Sequence, residues 1–203
     1  WLAWSKVPLP KPKLSYCAAE LYPMSLEDIE RAHRQWPQLS SLCAELIEKY
    51  PLAIKGQHRI ILSEGNVNLD VWWGTAHDMC EDLASYDVPF IDAWYLDGFN
   101  PKSNPSMWSS ELIKSMAKCS KPSATFGTFT SAGNVRRALE YAGFEVKKLK
   151  GFEKKRDCLN GRLPTISSIR SNITPWDIPR NVNAASHQHA VVIGAGLAGA
   201  HVA

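Results

Sequence analysis

Little in this 203-residue chain points to a secreted, metal-bound or membrane-embedded protein. Its five cysteines (Cys17, Cys43, Cys80, Cys119, Cys158) are odd in number and scattered, with no C-x-x-C pair. That argues against a disulfide framework and for reduced, mostly buried thiols in a cytoplasmic protein. The six histidines show no ligand spacing, since His187-Gln188-His189 falls in a stretch without regular pattern, and no metal is expected. No signal peptide is recognisable, and no apolar run approaches the about 18 residues of a membrane span, so no membrane contact is expected. There are no internal repeats. The net charge of +3 is too small to name a partner, but its distribution is uneven. From Lys147 to Arg162 seven Lys or Arg stand against two acids, Glu153 and Asp157. Such a run is either a solvated edge hairpin or a face for RNA.

What is present is enough for a sizeable core: 45% apolar residues, with eight tryptophans. Residues 1–13 are rich in Pro and Lys and read as irregular. Leu14 to Ala19 reads as a strand ending at Glu20. Ser25 with Asp28 gives a helix-start signal, followed by Leu26, Ile29, Ala32 and Trp36 at helical spacing. A second helix carries Leu39, Leu42, Cys43, Leu46, Ile47 and Tyr50 in one stripe. Strands are expected at Arg59 to Leu62 and Val67 to Trp73, around the turn 63–66. Then follow a helix (His77 to Ala84), a buried strand (Asp92 to Leu96), a helix (Ser106 to Ala117), a strand (Ala124 to Phe129) and a helix (Ala132 to Ala142) ended by Gly143. The last strand, Phe144 to Lys150, finds a partner around Cys158 to Leu163. This alternation predicts an α/β protein with a parallel, Rossmann-like sheet and an antiparallel edge hairpin. Residues 164–188, with three prolines and no apolar periodicity, read as a linker, and Ala190 to Ile193 as a strand opening a new module.

Two motifs carry chemistry. The first is the strand at His189 running into Gly194-Ala-Gly196-Leu-Ala-Gly199, the spacing of a dinucleotide-binding turn. Gly194 allows the tight turn, Gly196 a close backbone approach to pyrophosphate, and Gly199 close helix packing. The motif alone does not separate FAD from NAD. The chain is expected to be part of a larger, two-module enzyme. The second motif is DAWYLDGFNPKSNPSMW, which puts Asp97 at the carboxyl end of a parallel strand, where open α/β sheets bind ligands. Asp97 is either a carboxylate that positions an amine nucleophile or a capping residue on a strand-to-helix turn. Phe99 can wall a planar substrate. Glu20 ends another strand and can accept from ribose hydroxyls or simply precede a helix. Gly74 and Thr75 suit an adenine wall, whereas Trp72 and Trp73 read as core. Arg136 and Arg137 either grip phosphate or are solvated and salt-bridged.

The runs DAWYLDGFNPKSNPSMW, ATFGTFTSAGNVRRALEYAGFEV and KGFEKKRDCLNG, with AELYPMSLEDIERAHRQWPQL upstream, resemble the family of bifunctional tRNA 5-methylaminomethyl-2-thiouridine biosynthesis proteins over almost the whole chain. The resemblance implies a partial, S-adenosylmethionine-dependent class I methyltransferase domain at 1–163, truncated at its first strand. It also implies a linker at 164–188 and the start of an FAD-dependent oxidoreductase at 189–203. It implies tRNA as partner, methyl transfer to the aminomethyl nitrogen of a wobble uridine, and oxidative removal of a carboxymethyl group by the FAD module. By the same resemblance, Asp97 would position the amine and receive its proton, and Phe99 would flank donor or base. Glu20 would hold the donor's ribose. Lys154, Lys155 and Arg156, in the stretch Phe152 to Arg156, would meet the tRNA backbone. The sequence departs from the family in its missing first strand and glycine-rich donor loop, which predicts poor donor binding or none. It departs also in Thr75, where the family often has Asp, and in Asn100, which replaces a small residue. Two alternatives are an FAD-dependent amine oxidoreductase with an RNA-binding front domain and a non-enzymatic RNA-binding domain.

Overall fold

A computed structural model describes residues 2–86, 88–151, 157–165 and 188–193, the last six by their backbone. The amino-terminal stretch expected to be irregular contains one helical turn, α1 (Leu2–Ser5), held where the Trp4 indole donates to the Pro12 carbonyl at 2.6 Å. Strand β1 (Leu14–Glu20) follows, then α2 (Leu26–His33), whose N-cap Ser25 accepts from the Asp28 amide at 3.2 Å. A 3₁₀ turn, Pro37–Leu39, precedes α3 (Ser40–Glu48), so the expected second helix begins later than its apolar stripe does. Strands β2 (Gly56–Leu62) and β3 (Val67–Trp73) form an antiparallel hairpin. Next come α4 (Ala76–Ser85) and β4 (Ile91–Leu96). The helix expected from Ser106 is divided into a 3₁₀ turn, Pro105–Trp108, and α5 (Ser110–Cys119). The break is at Ser109, which is extended and caps α5 by accepting from the Leu112 amide at 3.1 Å. The chain continues through β5 (Ser120–Thr128), α6 (Gly133–Tyr141), β6 (Glu145–Lys150), β7 (Asp157–Arg162) and β8 (Gln188–Ile193).

The eight strands form one sheet in the order β2-β3-β1-β8-β4-β5-β7-β6. The interior pairs β3–β1, β1–β8, β8–β4 and β4–β5 are parallel, while both edges are antiparallel hairpins. The chain's last described strand was expected to open a separate module; its backbone pairs with β1 and β4 in the middle of this sheet. The physical reason is in the neighbours. Without β8, β1 and β4 would each present an unpaired row of N–H and C=O groups to a gap one strand wide.

Side chains alternate across each strand. On one face, Cys17 and Ala19 of β1 and Trp94 and Leu96 of β4 pack under α4, α5 and α6, with Met79, Cys80, Leu112, Ile113, Met116, Val135 and Leu139. On the other, Ile60, Leu62, Val67, Val71 and Trp73 pack against Trp4, Leu46 and Tyr50. Asp70 is 1% exposed in the β2–β3 ladder, directly opposite Arg59. The guanidinium donates to both carboxylate oxygens, at 2.8 and 3.0 Å, and Gln57 donates a third bond at 3.3 Å. The buried charge is therefore matched. No helix among the described residues is long and apolar enough to cross a membrane.

Candidate active site

Parallel strands deliver β1, β3 and β4 to the same sheet edge with their carboxyl ends aligned. Glu20 ends β1, Gly74 and Thr75 follow β3, and Asp97 follows β4. The Gly74 amide donates to the Glu20 carbonyl at 3.0 Å, which ties the first two turns together. The Glu20 carboxylate is oriented by its own turn, since Oε1 accepts from the Tyr22 amide at 2.8 Å. Tyr50 lies beside it: burial first, and the Glu20 charge second, raise that phenol above its ordinary range.

Gly74 is the most constrained residue of this edge. Its φ of +159° and its surroundings both select glycine, because an added Cβ would sit 2.8 Å from the Trp72 indole nitrogen. That nitrogen is buried and has no hydrogen-bond partner among the described residues. The Asp78 carboxylate lies 3.9 Å from the same point. Thr75 caps α4, its hydroxyl accepting from the Asp78 amide at 3.0 Å. An orphaned donor, a nearby carboxylate and the absence of a side chain between them suit the edge of a purine, which offers both acceptors and an amino group. With the Glu20 carboxylate on the same edge, these residues could hold an adenosyl group. Trp72 was read as core from sequence. Its indole ring packs against the core, and its buried N–H has no hydrogen-bond partner among the described residues. Asp78 was not singled out, and only the tertiary placement of its carboxylate near Gly74 marks it.

On the β4 side, Asp97 is half-buried. Strand alternation puts Tyr16 and Tyr95 on one face, and Asp97 continues that face two residues after Tyr95. Burial, then Tyr95, then Asp97 hold the Tyr16 phenol far above its ordinary range, so it remains a neutral O–H. Neither tyrosine was noted from the sequence, because only the neighbouring strands relate them to Asp97. The loop beyond is well tied. Asn100 accepts from Lys102 through its side chain at 2.9 Å, and through its carbonyl from Ser103 and Asn104 at 2.8 and 3.0 Å. The buried Trp108 donates to the Phe99 carbonyl at 2.8 Å. Gly98 packs against Met107 and Trp108, which an added Cβ would approach to 3.3 and 3.4 Å. The Phe99 ring is 72% exposed, at the mouth rather than within the crevice.

The remaining expected residues are dispersed. Arg136 leans toward Glu140 at 3.5 Å, whereas Arg137 folds back over the first turn of α6, its Nη1 3.3 Å from where a Gly133 Cβ would be. The two do not form a single grip. Lys147, Lys148 and Lys150 lie on β6, with Lys148 paired to Asp157 at 2.9 Å. Lys154, Lys155 and Arg156, and Gly194, Gly196 and Gly199, lie outside the described residues. Cys17, Cys43, Cys80 and Cys119 are buried. Burial pushes the Cys119 thiol up to about 12 and raises Cys17 and Cys80 as well, which keeps these groups protonated and unreactive. Among the described residues no group of three or more His, Cys, Asp or Glu is placed to hold a metal ion.

Residues 37–164 match the S-adenosyl-L-methionine-dependent methyltransferase family. The chain belongs to that family. It is also 41% identical over 192 residues to the tRNA 5-methylaminomethyl-2-thiouridine biosynthesis bifunctional protein MnmC of Vibrio campbellii. That alignment takes in 94% of this chain and 28% of the relative, so the chain spans a little over a quarter of the relative's length. Among solved structures, MNMC2 from Aquifex aeolicus superposes with a TM-score of 0.52 at 16% identity, over 79% of this chain and 57% of that one, a likeness of fold. The Rossmann-like methyltransferase architecture expected from the sequence is therefore the one present.

Proposed function

We propose that this methyltransferase modifies the wobble uridine of tRNA, moving a methyl group from S-adenosylmethionine to the aminomethyl nitrogen of 5-aminomethyl-2-thiouridine. The observation that carries the reading is the meeting of Glu20, Gly74 and Asp97 at one edge of a methyltransferase sheet. The identity to a tRNA-modifying relative supports the choice of substrate.

S-adenosylmethionine supplies an electrophilic sulfonium methyl. Glu20 would accept from the ribose hydroxyls, while Trp72, Gly74, Thr75 and Asp78 bound the adenine. Across the crevice, Asp97 would accept a hydrogen bond from the neutral amine and aim its lone pair. As the N–C bond forms and the C–S bond breaks, the nitrogen becomes cationic. Asp97 stabilises that charge and takes one proton, and the donor's sulfur leaves as a neutral thioether. Tyr16, held neutral, can donate toward Asp97 without adding charge. Phe99, exposed at the mouth, is available to stack on an extruded base. The basic residues of the last hairpin, with Lys154, Lys155 and Arg156, would add salt-dependent attraction to the tRNA backbone, and Arg136 and Arg137 would extend it. In the whole protein, an FAD-dependent oxidoreductase would expose the amine by removing a carboxymethyl group. The relative's bifunctional name and the GAGLAG sequence support that second activity. Cytoplasmic location follows from this substrate.

The test is incubation of the full-length protein with S-adenosylmethionine and hypomodified tRNA, with the wobble nucleoside weighed by mass spectrometry. A gain of one methyl, slowed at least about 100-fold by Asp97→Asn, is the expected result. An unchanged rate in Asp97→Asn sinks the assigned role. No methyl gain together with FAD-dependent loss of a carboxymethyl group would favour an amine oxidoreductase with a non-catalytic front domain.

A further inference from the structure

The turn after β4 carries a ring that the core does not hold. Phe99 is 72% exposed, and a ring with so few neighbours takes its direction from its backbone. What fixes that backbone is Trp108. Its indole is buried and donates to the Phe99 carbonyl at 2.8 Å, from nine residues further along the chain. The same ring lies against Gly98, where an added Cβ would come within 3.4 Å of it. It also meets the Phe129 ring edge-on, with centroids 6.0 Å apart. Leu96 pairs with Thr128, so Asp97 and Phe129 are the next residues of two neighbouring strands. One indole therefore braces the turn after β4 against the end of β5.

An indole suits this place, because its apolar body fills the space beneath the turn while the single N–H at its rim satisfies a carbonyl. The segment that delivers it is itself tied. The Asn100 carbonyl accepts from the Ser103 and Asn104 amides, the Asn104 side chain accepts from the Ser106 hydroxyl at 2.8 Å, and Pro105–Trp108 closes as a 3₁₀ turn. We infer that Trp108 is a positioning residue for the tRNA side of the site: through the Phe99 carbonyl it holds the Phe99 ring at the mouth, set to stack on the extruded uridine. The inference rests on the methyltransferase reading of this edge and adds a division within it. Donor recognition belongs to β1, β3 and α4 with the turns beside them, which carry Glu20, Trp72, Gly74 and Asp78, whereas Trp108 serves the acceptor. A turn already fixed in its bound shape does not have to be ordered when tRNA arrives, so losing the brace weakens the use of tRNA.

The test is a double-mutant cycle in the full-length protein, with S-adenosylmethionine and hypomodified tRNA for turnover and S-adenosylhomocysteine for calorimetry. Phe99→Ala removes the stacking ring and should raise the KM for tRNA about tenfold. Trp108→Phe keeps one aromatic ring beneath the turn, removes the donor, and should raise it about three- to tenfold. The double variant should rise no more than about twofold beyond Phe99→Ala alone, because a brace for an absent ring has nothing left to hold. S-adenosylhomocysteine affinity should stay within about threefold of the parent in all three. Gly98→Ala reaches the same turn without touching the indole. Its methyl would press on Met107 and Trp108, at 3.3 and 3.4 Å, and the KM for tRNA should rise at least about threefold with donor affinity kept. Effects of Phe99→Ala and Trp108→Phe that multiply overturn the inference, as does S-adenosylhomocysteine affinity that falls in step with the tRNA KM in Trp108→Phe, since either makes Trp108 a support of the fold alone. Should Trp108→Phe fail to fold, a parental KM in Gly98→Ala overturns it. Failure of the methyltransferase reading shows separately, as no methyl gain by the parent protein, and the inference then falls with it.

Discussion

The two halves of the sheet meet the same crevice with different physics. The β2-β3-β1 half has a small apolar cluster of five buried residues and is reinforced by the buried Asp70–Arg59 pair. It brings polar groups to this edge: a carboxylate fixed by a backbone amide, a buried indole N–H with no partner among the described residues, and a second carboxylate near Gly74. The β4-β5-β7-β6 half is dominated by apolar packing under α4, α5 and α6, and offers the crevice one carboxylate, Asp97, which meets the neutral Tyr16 phenol brought from β1. The first half is organised to recognise many atoms of a polar ligand. The second is organised to hold a single charge where bonds change. Recognition needs many satisfied hydrogen bonds, whereas proton acceptance needs one group well placed.

The division can be broken experimentally. The largest effect expected is on rate: Asp97→Asn should slow methyl transfer at least about 100-fold while changing S-adenosylhomocysteine affinity less than about threefold. Glu20→Gln should do the reverse, weakening S-adenosylhomocysteine about tenfold or more in calorimetry with a smaller effect on the rate at saturation. Equal losses of rate and affinity in both variants would dissolve the distinction. Next comes the support under the recognising half. Arg59→Ala leaves Asp70 buried without its cation and should cost about 3 kcal/mol in urea unfolding, and an effect below about 1 kcal/mol would mean that Asp70 is readily solvated. Smaller still, Trp72→Phe removes the N–H together with the indole's five-membered ring and keeps one aromatic ring against the core. It should weaken S-adenosylhomocysteine by about three- to tenfold with only a modest loss of stability, and a stability loss without an affinity loss would return Trp72 to the core.

The smallest effect is a slope with pH. Cys17, Cys80 and Cys119 have native values raised above the ordinary 9.0, and Tyr16 above 10.0. Between those ordinary values and the raised ones the unfolded chain has lost protons that the native protein keeps. Stability is thus fully present below about pH 9 and falls as pH rises above it. Urea midpoints measured from neutral pH upward check this, and a flat profile to pH 11 would show these groups to be better solvated than their burial implies.

Much of this was legible along the chain, for local reasons. Ser25 with Asp28, and the Gly143 helix stop at φ +100°, are short-range signals that need no partner elsewhere. Alternating helices and strands announced the parallel sheet, and the position of Asp97 at a strand's carboxyl end followed from it. The 3₁₀ turn at Pro105–Trp108 was missed because Trp108 has the spacing of a helical stripe but spends its N–H on the Phe99 carbonyl. Tyr16 and Asp78 were not singled out because a side chain's place at a crevice depends on what other elements bring beside it.

The sequence by itself determined most of the elements, the parallel α/β sheet and the carboxylates at its strand ends, because these follow from periodicity, caps and turn chemistry within a few residues, while the methyltransferase class came from the resemblance carried by its longer motif runs. The tertiary structure alone decided where the strand at 188–193 goes. Read locally, that strand opens a new domain. In the sheet, two facing rows of backbone groups on β1 and β4, contributed by segments more than seventy residues apart, need a strand between them, because unpaired buried N–H and C=O groups are costly.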